Sequence, residues 1–325
     1  MPKPPIAELP SVPGHARLFP EPPQEAIEAI PPAHRRATPP ALPALGEAAL
    51  RAHLADLPGS PDAAWAGAAA VARGLSVPGL TRLHPRQPAA TVQGALEIAH
   101  EVARALAAAT GLDRFSLQPP TLAVARRAAL QVAKASFART QPNRNEVVGL
   151  AGSAALVAAE ELGLVARPVP RLPSEDWDLD AVVGAVGQNT VAIVANWVRP
   201  SGAYERSLPS LAEVAHAHGA LLCVDATGLG RLLGQTRLRE AGADVAWVSL
   251  GELCPSARSA AIGVRQPLTE FLPVPLVGKG REGYELDDEL SGSIGPLALG
   301  PFHLLDALAV YVRLLALGAE GMRAD

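Results

Sequence analysis

Apolar residues run almost unbroken through TVAIVANW, ALLCVD, DVAWVSL and AAIGV, and charged or turn-forming residues bound each run. Runs this short and this apolar predict strands buried on both faces. Elsewhere the spacing is helical. Val92, Ala95, Leu96, Ala99, Val102, Ala103 and Leu106 share one face of a helix that Thr91 is placed to cap and Gly111 to stop. Further helices are predicted over LAVARRAALQVAKASFA, over SAALVAAEELG up to Gly163, over LDAVVGAV and over LPSLAEVAHAHG. FSLQP, EVVGLAG and LVARPVP add strands. The alternation predicts an α/β fold with a mostly parallel sheet covered on both faces. Ligands of such sheets bind beyond the carboxyl ends of the strands, where Asp225, Glu252 and the Pro119-Pro120 turn fall.

The two ends of the chain read differently. Prolines crowd FPEPPQ, IPPAH and TPPALPAL, each one fixing φ and removing a donor, so residues 1–90 are expected to form an extended arm. Residues 91–275 form the expected αβ domain, and 276–325 a linker and a terminal helix from about Pro301 to Leu317. That helix carries Leu304, Leu305, Leu308, Val312 and Leu315 on one face. No repeat of solenoid length is visible.

Composition narrows the function classes. Of 325 residues, 49% are hydrophobic and 18% charged, an ordinary globular balance, and a net charge of −4 gives no electrostatic case for nucleic acid or an anionic membrane. No apolar run approaches the roughly 20 residues that cross a bilayer, and MPKPPIAELPSVPGH has no apolar core of a secretory signal, so a cytoplasmic location is expected. Cys223 and Cys254 are too few for a disulfide framework or a structural zinc site; they end adjacent runs and are placed to approach each other. No metal site is expected.

HPRQPAATVQGAL and LGAEGMR are the most specific segments. With HRRATPPALPALGEAALRAHL, HAHGALLCVDATGLGRLLG and FLPVPLVGKGREGYELDDELSGSIG, in that order, they resemble glycine dehydrogenase (decarboxylating), the P-protein of the glycine cleavage system, in its split-form subunit 2. The resemblance implies a pyridoxal-phosphate (PLP)-dependent transferase fold of type I, the aspartate-aminotransferase-like large domain. It implies PLP held as an imine on a lysine, an aspartate at the pyridine nitrogen, and transfer of an aminomethyl group to the lipoyl arm of the H-protein. Family members continue past LGAEG into a smaller domain, which the comparison implies is largely missing here.

Carried over residue by residue, the resemblance places Asp225 at the pyridine nitrogen and Glu252, after Gly251, where the family has its imine lysine. Val124 falls where a ring-stacking histidine belongs. A Thr-Asn-Pro stretch becomes Ala195-Asn196-Trp197, keeping only Asn196. The His-Gly-Thr-Asn-Pro segment reads GSAALV, the glycine-rich loop CPSARSAA, and Lys-Ser-Ile-Gly reads Gly292-Ser293-Ile294-Gly295. The only lysines are Lys3, Lys134 and Lys279, none at a strand end beside Asp225. A carboxylate cannot form an imine.

Each singled-out residue also has a plain structural reading. Asp225 is either a surviving pyridinium partner or a strand-end cap on the following turn. Glu252 is either a general base or a tolerated carboxylate at a solvent-filled mouth. Arg126 and Arg127 either hold an anion or line a solvated helix face. His216 and His218, two apart near a helix end, suit the C-terminal dipole better than a metal. The expected protein is a P-protein subunit 2-like chain without the Schiff-base lysine, a noncatalytic structural or regulatory subunit. No cofactor is expected, or PLP if the family activity persists. The alternative is that it still performs or assists glycine decarboxylation. Apolar faces on the arm, first helix and terminal helix are expected to be left for a partner: a second copy, a P-protein subunit, or the H-protein.

Overall fold

The computed structural model describes residues 49, 88–228, 232, 235–254, 257–297, 306–307 and 310–311. The expected arm therefore lies almost wholly outside the described residues, as do Leu304, Leu305, Leu308, Val312 and Leu315 of the terminal helix. Helix α1 (Gln93–Thr110) stops where Gly111 adopts a left-handed φ of 76°. Its start corrects the expectation for Thr91, which lies in a 3-10 turn and returns its hydroxyl to Pro88 O at 2.7 Å. Val92 takes the cap position with no side-chain hydrogen bond. Helices α2 (Leu122–Phe137) and α3 (Ala154–Glu161) start from Thr121 and Ser153, whose hydroxyls accept from Val124 N and Leu156 N. Asp178 does the same for α4 (Leu179–Ala185), and α5 (Leu208–Ala217) has a proline in its first turn.

Among the described residues seven strands form one sheet: β1 (Arg114–Ser116), β2 (Glu146–Leu150), β3 (Val165–Val169), β4 (Thr190–Asn196), β5 (Leu221–Asp225), β6 (Val245–Ser249) and β7 (Ala260–Val264). Their order is β1-β7-β6-β5-β4-β2-β3. Strands β2 to β6 run parallel; β7 is antiparallel to β6, and β1 to β7. The parallel neighbours need crossovers, which the helices supply, whereas the short β6–β7 connection has no helix and reverses direction. One outer edge is β3, which carries Pro168 and exposes Val165.

Alternate residues of the central strands feed two cores. On one face Ile193, Leu222, Val224, Ala246 and Val248 pack with α1, α4 and α5; on the other Val194, Cys223, Val245, Trp247 and Ile262 pack with α2 and α3. The cysteines therefore do not meet, contrary to expectation: Cys223 belongs to the second core and Cys254 to the first. Burial pushes the Cys223 thiol up. The apolar face of α1 is likewise not left for a partner. Leu96, Ile98, Val102 and Leu106 are buried by this chain itself, with Ala307, Val310 and Tyr311 of the terminal segment in the same core. A hairpin that the pattern did not show, β8 (Leu276–Lys279) with β9 (Tyr284–Asp287), packs beside α1. Gln93 there exchanges two hydrogen bonds with the Tyr284 backbone, each 2.7 Å.

Two polar clusters fix the ends of the sheet. Beneath it, fully buried Asp244 accepts from Leu222 N at 2.6 Å, contacts His216 Nε2 at 2.9 Å and pairs with Arg265, so His216 ties α5 to the sheet. Above it, the loop after β4 folds over buried Glu205. Arg199 reaches Glu205 Oε1 at 2.9 Å and Asp176 Oδ1 at 2.6 Å, Arg171 reaches Glu205 Oε2 at 3.4 Å, and Arg206 reaches Asp176 Oδ2 at 2.6 Å. Hydrogen bonds from Arg206 and Arg199 hold the Asp176 carboxyl well below the usual carboxylate range.

A depressed folded-state pKa adds stability that is full above the unfolded value, about 3.9, and is lost as pH falls toward the folded one. The urea midpoint of the wild-type chain is therefore expected to fall more steeply below about pH 4 than that of Asp176→Asn; parallel profiles would remove Asp176 as the acid-sensitive group. Phe115 lies directly over Gly263 of the neighbouring strand, where an added Cβ would stand 2.2 Å from Cζ. Gly263→Ala is expected to destabilise by about 1–3 kcal/mol in the same denaturation measurement, the scale of overpacking a filled core.

Candidate functional site

A cleft of about 520 Å³ opens at the carboxyl ends of the parallel strands. The β2–α3 turn gives Gly152 and Ser153, the end of β4 gives Asn196, the loop beyond it gives Arg199, the turn after β5 gives Thr227 and Gly228, and Glu252 closes one side. The position follows from the topology, since parallel strands bring their carboxyl ends to one rim and the crossover helices start there. Glu252 ends the 3-10 turn Leu250–Glu252 that follows β6 directly, and is half-buried. Asn196 and Asp225 are register partners at the ends of β4 and β5. The structure thus brings Asn196 and Glu252 to one cleft, with Asp225 at its edge.

Asp225 does not line the cleft; Thr227 does, and Asp225 holds it. Asp225 Oδ1 accepts from Thr227 N at 3.0 Å and from Thr227 Oγ1 at 2.5 Å, the turn-capping arrangement that a strand-end aspartate favours. Asp225 Oδ2 faces Arg126 Nη2 at 3.3 Å, and both side chains are largely buried, at 11% and 16% exposure. Arg126 is therefore not on a solvated helix face; its α2 position turns inward, while the next residue, Arg127, pairs with Glu161 at the surface. The Arg126 Nε is buried and has no hydrogen-bond partner. An unmet buried donor costs about 1–3 kcal/mol, so the guanidinium is held here by Asp225 rather than by a full set of acceptors.

Lysines are elsewhere. Lys134 Nζ donates to Pro142 O at 2.7 Å and to Arg144 O, at the carboxyl end of α2. Lys279 ends β8, with Nζ 5.5 Å from the Tyr284 ring centre. Neither lines the cleft, and Lys3 lies outside the described residues. Val124, the position expected to stack on a ring, is a first-turn residue of α2 whose amide the Thr121 hydroxyl caps. Arg171 and Arg199 went unremarked in the sequence, although both stand just after strands, in RLPSED and WVRPSG, where such a rim collects its residues. Among the described residues no three His, Cys, Asp or Glu side chains converge as metal ligands, and no helix is long and apolar enough to cross a membrane.

No family model matches the sequence. Curated proteins do. The probable glycine dehydrogenase (decarboxylating) subunit 2 of Kosmotoga olearia is 30% identical over 255 residues, covering 75% of this chain and 52% of that protein. Its counterpart from Treponema denticola is 29% identical over 256 residues, covering 76% and 53%. The chain thus spans about half the length of the curated relatives it matches. Among solved structures, a glycine decarboxylase (P-protein) of the glycine cleavage system in inhibitor-bound form superposes with a TM-score of 0.59 at 24% identity, over 79% of this chain and 60% of that one. The cysteine desulfurase CsdA of Escherichia coli superposes with a TM-score of 0.53 at 15% identity, over 77% and 63%. These two likenesses speak for the fold. Over three quarters of its length the chain is similar in sequence to proteins named probable glycine dehydrogenase (decarboxylating) subunit 2, and it has the mostly parallel α/β fold of the type I PLP-dependent enzymes.

Proposed function

We propose that this chain is a glycine-cleavage P-protein subunit 2-like protein that does not bind its cofactor covalently and serves as a noncatalytic structural or regulatory subunit. The supporting observation is the lining of the cleft, which among the described residues contains no lysine and has Glu252 in the turn after β6, where the resemblance puts the reactive amine. Condensation with an aldehyde needs a nucleophilic nitrogen, and a carboxylate has none.

The residues present do not fit PLP. Asp225 holds Thr227 with one oxygen and faces the Arg126 guanidinium with the other, so a ring nitrogen would have to share a carboxylate whose charge is already paired. The β2–α3 turn, whose counterpart in the family is rich in ligating side chains, offers Gly152 and Ser153, and the Ser153 hydroxyl is spent on Leu156 N. The partner suggested by the curated relatives' designation as subunit 2 is another P-protein subunit, with a second copy of this chain or the H-protein as further candidates.

Incubation with PLP, borohydride reduction and peptide mass mapping test the reading. No pyridoxyl adduct is expected at Lys134, Lys279 or Lys3 beyond the trace labelling of surface lysines, and no glycine-dependent exchange of carbon dioxide. A stoichiometric adduct on any of the three would overturn the reading. Glu252→Gln is expected to change the unfolding free energy by less than about 0.5 kcal/mol, as at a solvent-facing position without a structural duty. Size-exclusion chromatography with light scattering, alone and with a P-protein subunit, is expected to give a mass above that of one chain.

A further inference from the structure

We infer that Arg126 is a built-in occupant of the charge site at Asp225, so that restoring a lysine at position 252 is not by itself enough to recover a cofactor-binding protein. The inference rests on the reading of Glu252 above but concerns a different residue and a different obstacle. Arg126 and Asp225 come from α2 and the end of β5, 99 residues apart, and meet at 3.3 Å with both side chains largely buried. One cation is thus already placed against the one carboxylate at this strand end.

A protonated ring nitrogen brought to Asp225 would set a second cation beside the guanidinium. Two like charges sharing one partly buried counter-ion repel, and the one that loses the carboxylate is left desolvated and unpaired. Arg126 is poorly equipped to be that one. Its Nε already lacks an acceptor, and Asp225 is the carboxylate found to pair with it among the described residues. Its side chain is also only 16% exposed, against 41% for Arg127 next to it. The carboxylate is also fixed from its other side, because Oδ1 holds the amide and hydroxyl of Thr227, the residue that forms the cleft wall. The carboxylate behind the Thr227 wall of the cleft is therefore already matched by Arg126, independently of what stands at position 252.

The test compares Glu252→Lys with Glu252→Lys/Arg126→Ala and Glu252→Lys/Arg126→Gln, the last keeping side-chain bulk in case the alanine fails to fold. Each is titrated with PLP, reduced with borohydride, and mapped for a pyridoxyl group on the introduced lysine. Occupancy at limiting PLP is expected to correspond to an affinity at least about tenfold tighter in a doubly substituted chain, and PLP is expected to raise the melting temperature of that chain but not of the single variant. Equal occupancy across the three, at any level including none, overturns the inference. In parallel, Arg126→Gln, Asp225→Asn and the two combined are compared in urea without cofactor. The combined shift is expected to be smaller than the sum of the two single shifts, and strictly additive shifts also overturn it. Labelling of the unmutated chain would count against the noncatalytic reading instead, so the two failures are distinguishable.

Discussion

Burial of β4, β5 and β6 on both faces constrains everything else in this protein. Strands enclosed by helices above and below have no place for a charged side chain along their length, so polar groups are displaced to the two rims. At the amino-terminal rim, Asp244 collects Leu222 N, His216 and Arg265 into one knot that anchors α5. At the carboxyl rim, Glu205 and Asp176 collect Arg171, Arg199 and Arg206, and Asp225 collects Thr227 and Arg126. The cleft lies among these last groups because no other part of the sheet can hold them.

In consequence the cleft is a region whose polar groups largely satisfy one another. Asp225 already accepts two hydrogen bonds from Thr227 on one oxygen and faces Arg126 with the other. Arg199 is similarly shared between two acids. The rim thus gains its order from internal pairing.

Much of the fold was legible in the residues, and the reasons are specific. ALLCVD and DVAWVSL read as strands because their apolar runs are too short for helices and too continuous for a half-exposed sheet. The α2 and α3 helices read from their apolar spacing, and Gly111 marked its helix end by adopting the backbone angle that glycine permits. Direction and order were not legible, since AAIGV looks the same in a parallel or antiparallel neighbour. Thr91 misled because a hydroxyl one residue too early finds a nearer carbonyl. The cysteines misled because β6 ends at Ser249 and Cys254 lies past the turn that follows it, in the core on the side of the sheet away from Cys223. At the site, Asp225, Asn196 and Glu252 were placed by strand ends, but the partner of Asp225 was not. Nothing local in LAVARRAAL distinguishes Arg126 from Arg127; only the packing of α2 decides which one turns inward.

The outer strand β3 bears on how the molecule behaves in a crowd of its own copies. An unpaired strand edge is a template on which another chain can zip, and Pro168 removes one of the donors such a zipper needs, in a strand only five residues long. Arg167, paired to Glu146, adds charge at the same margin. Growth of the sheet in that direction is thereby discouraged, and assembly through any other surface can proceed without competition from runaway strand exchange.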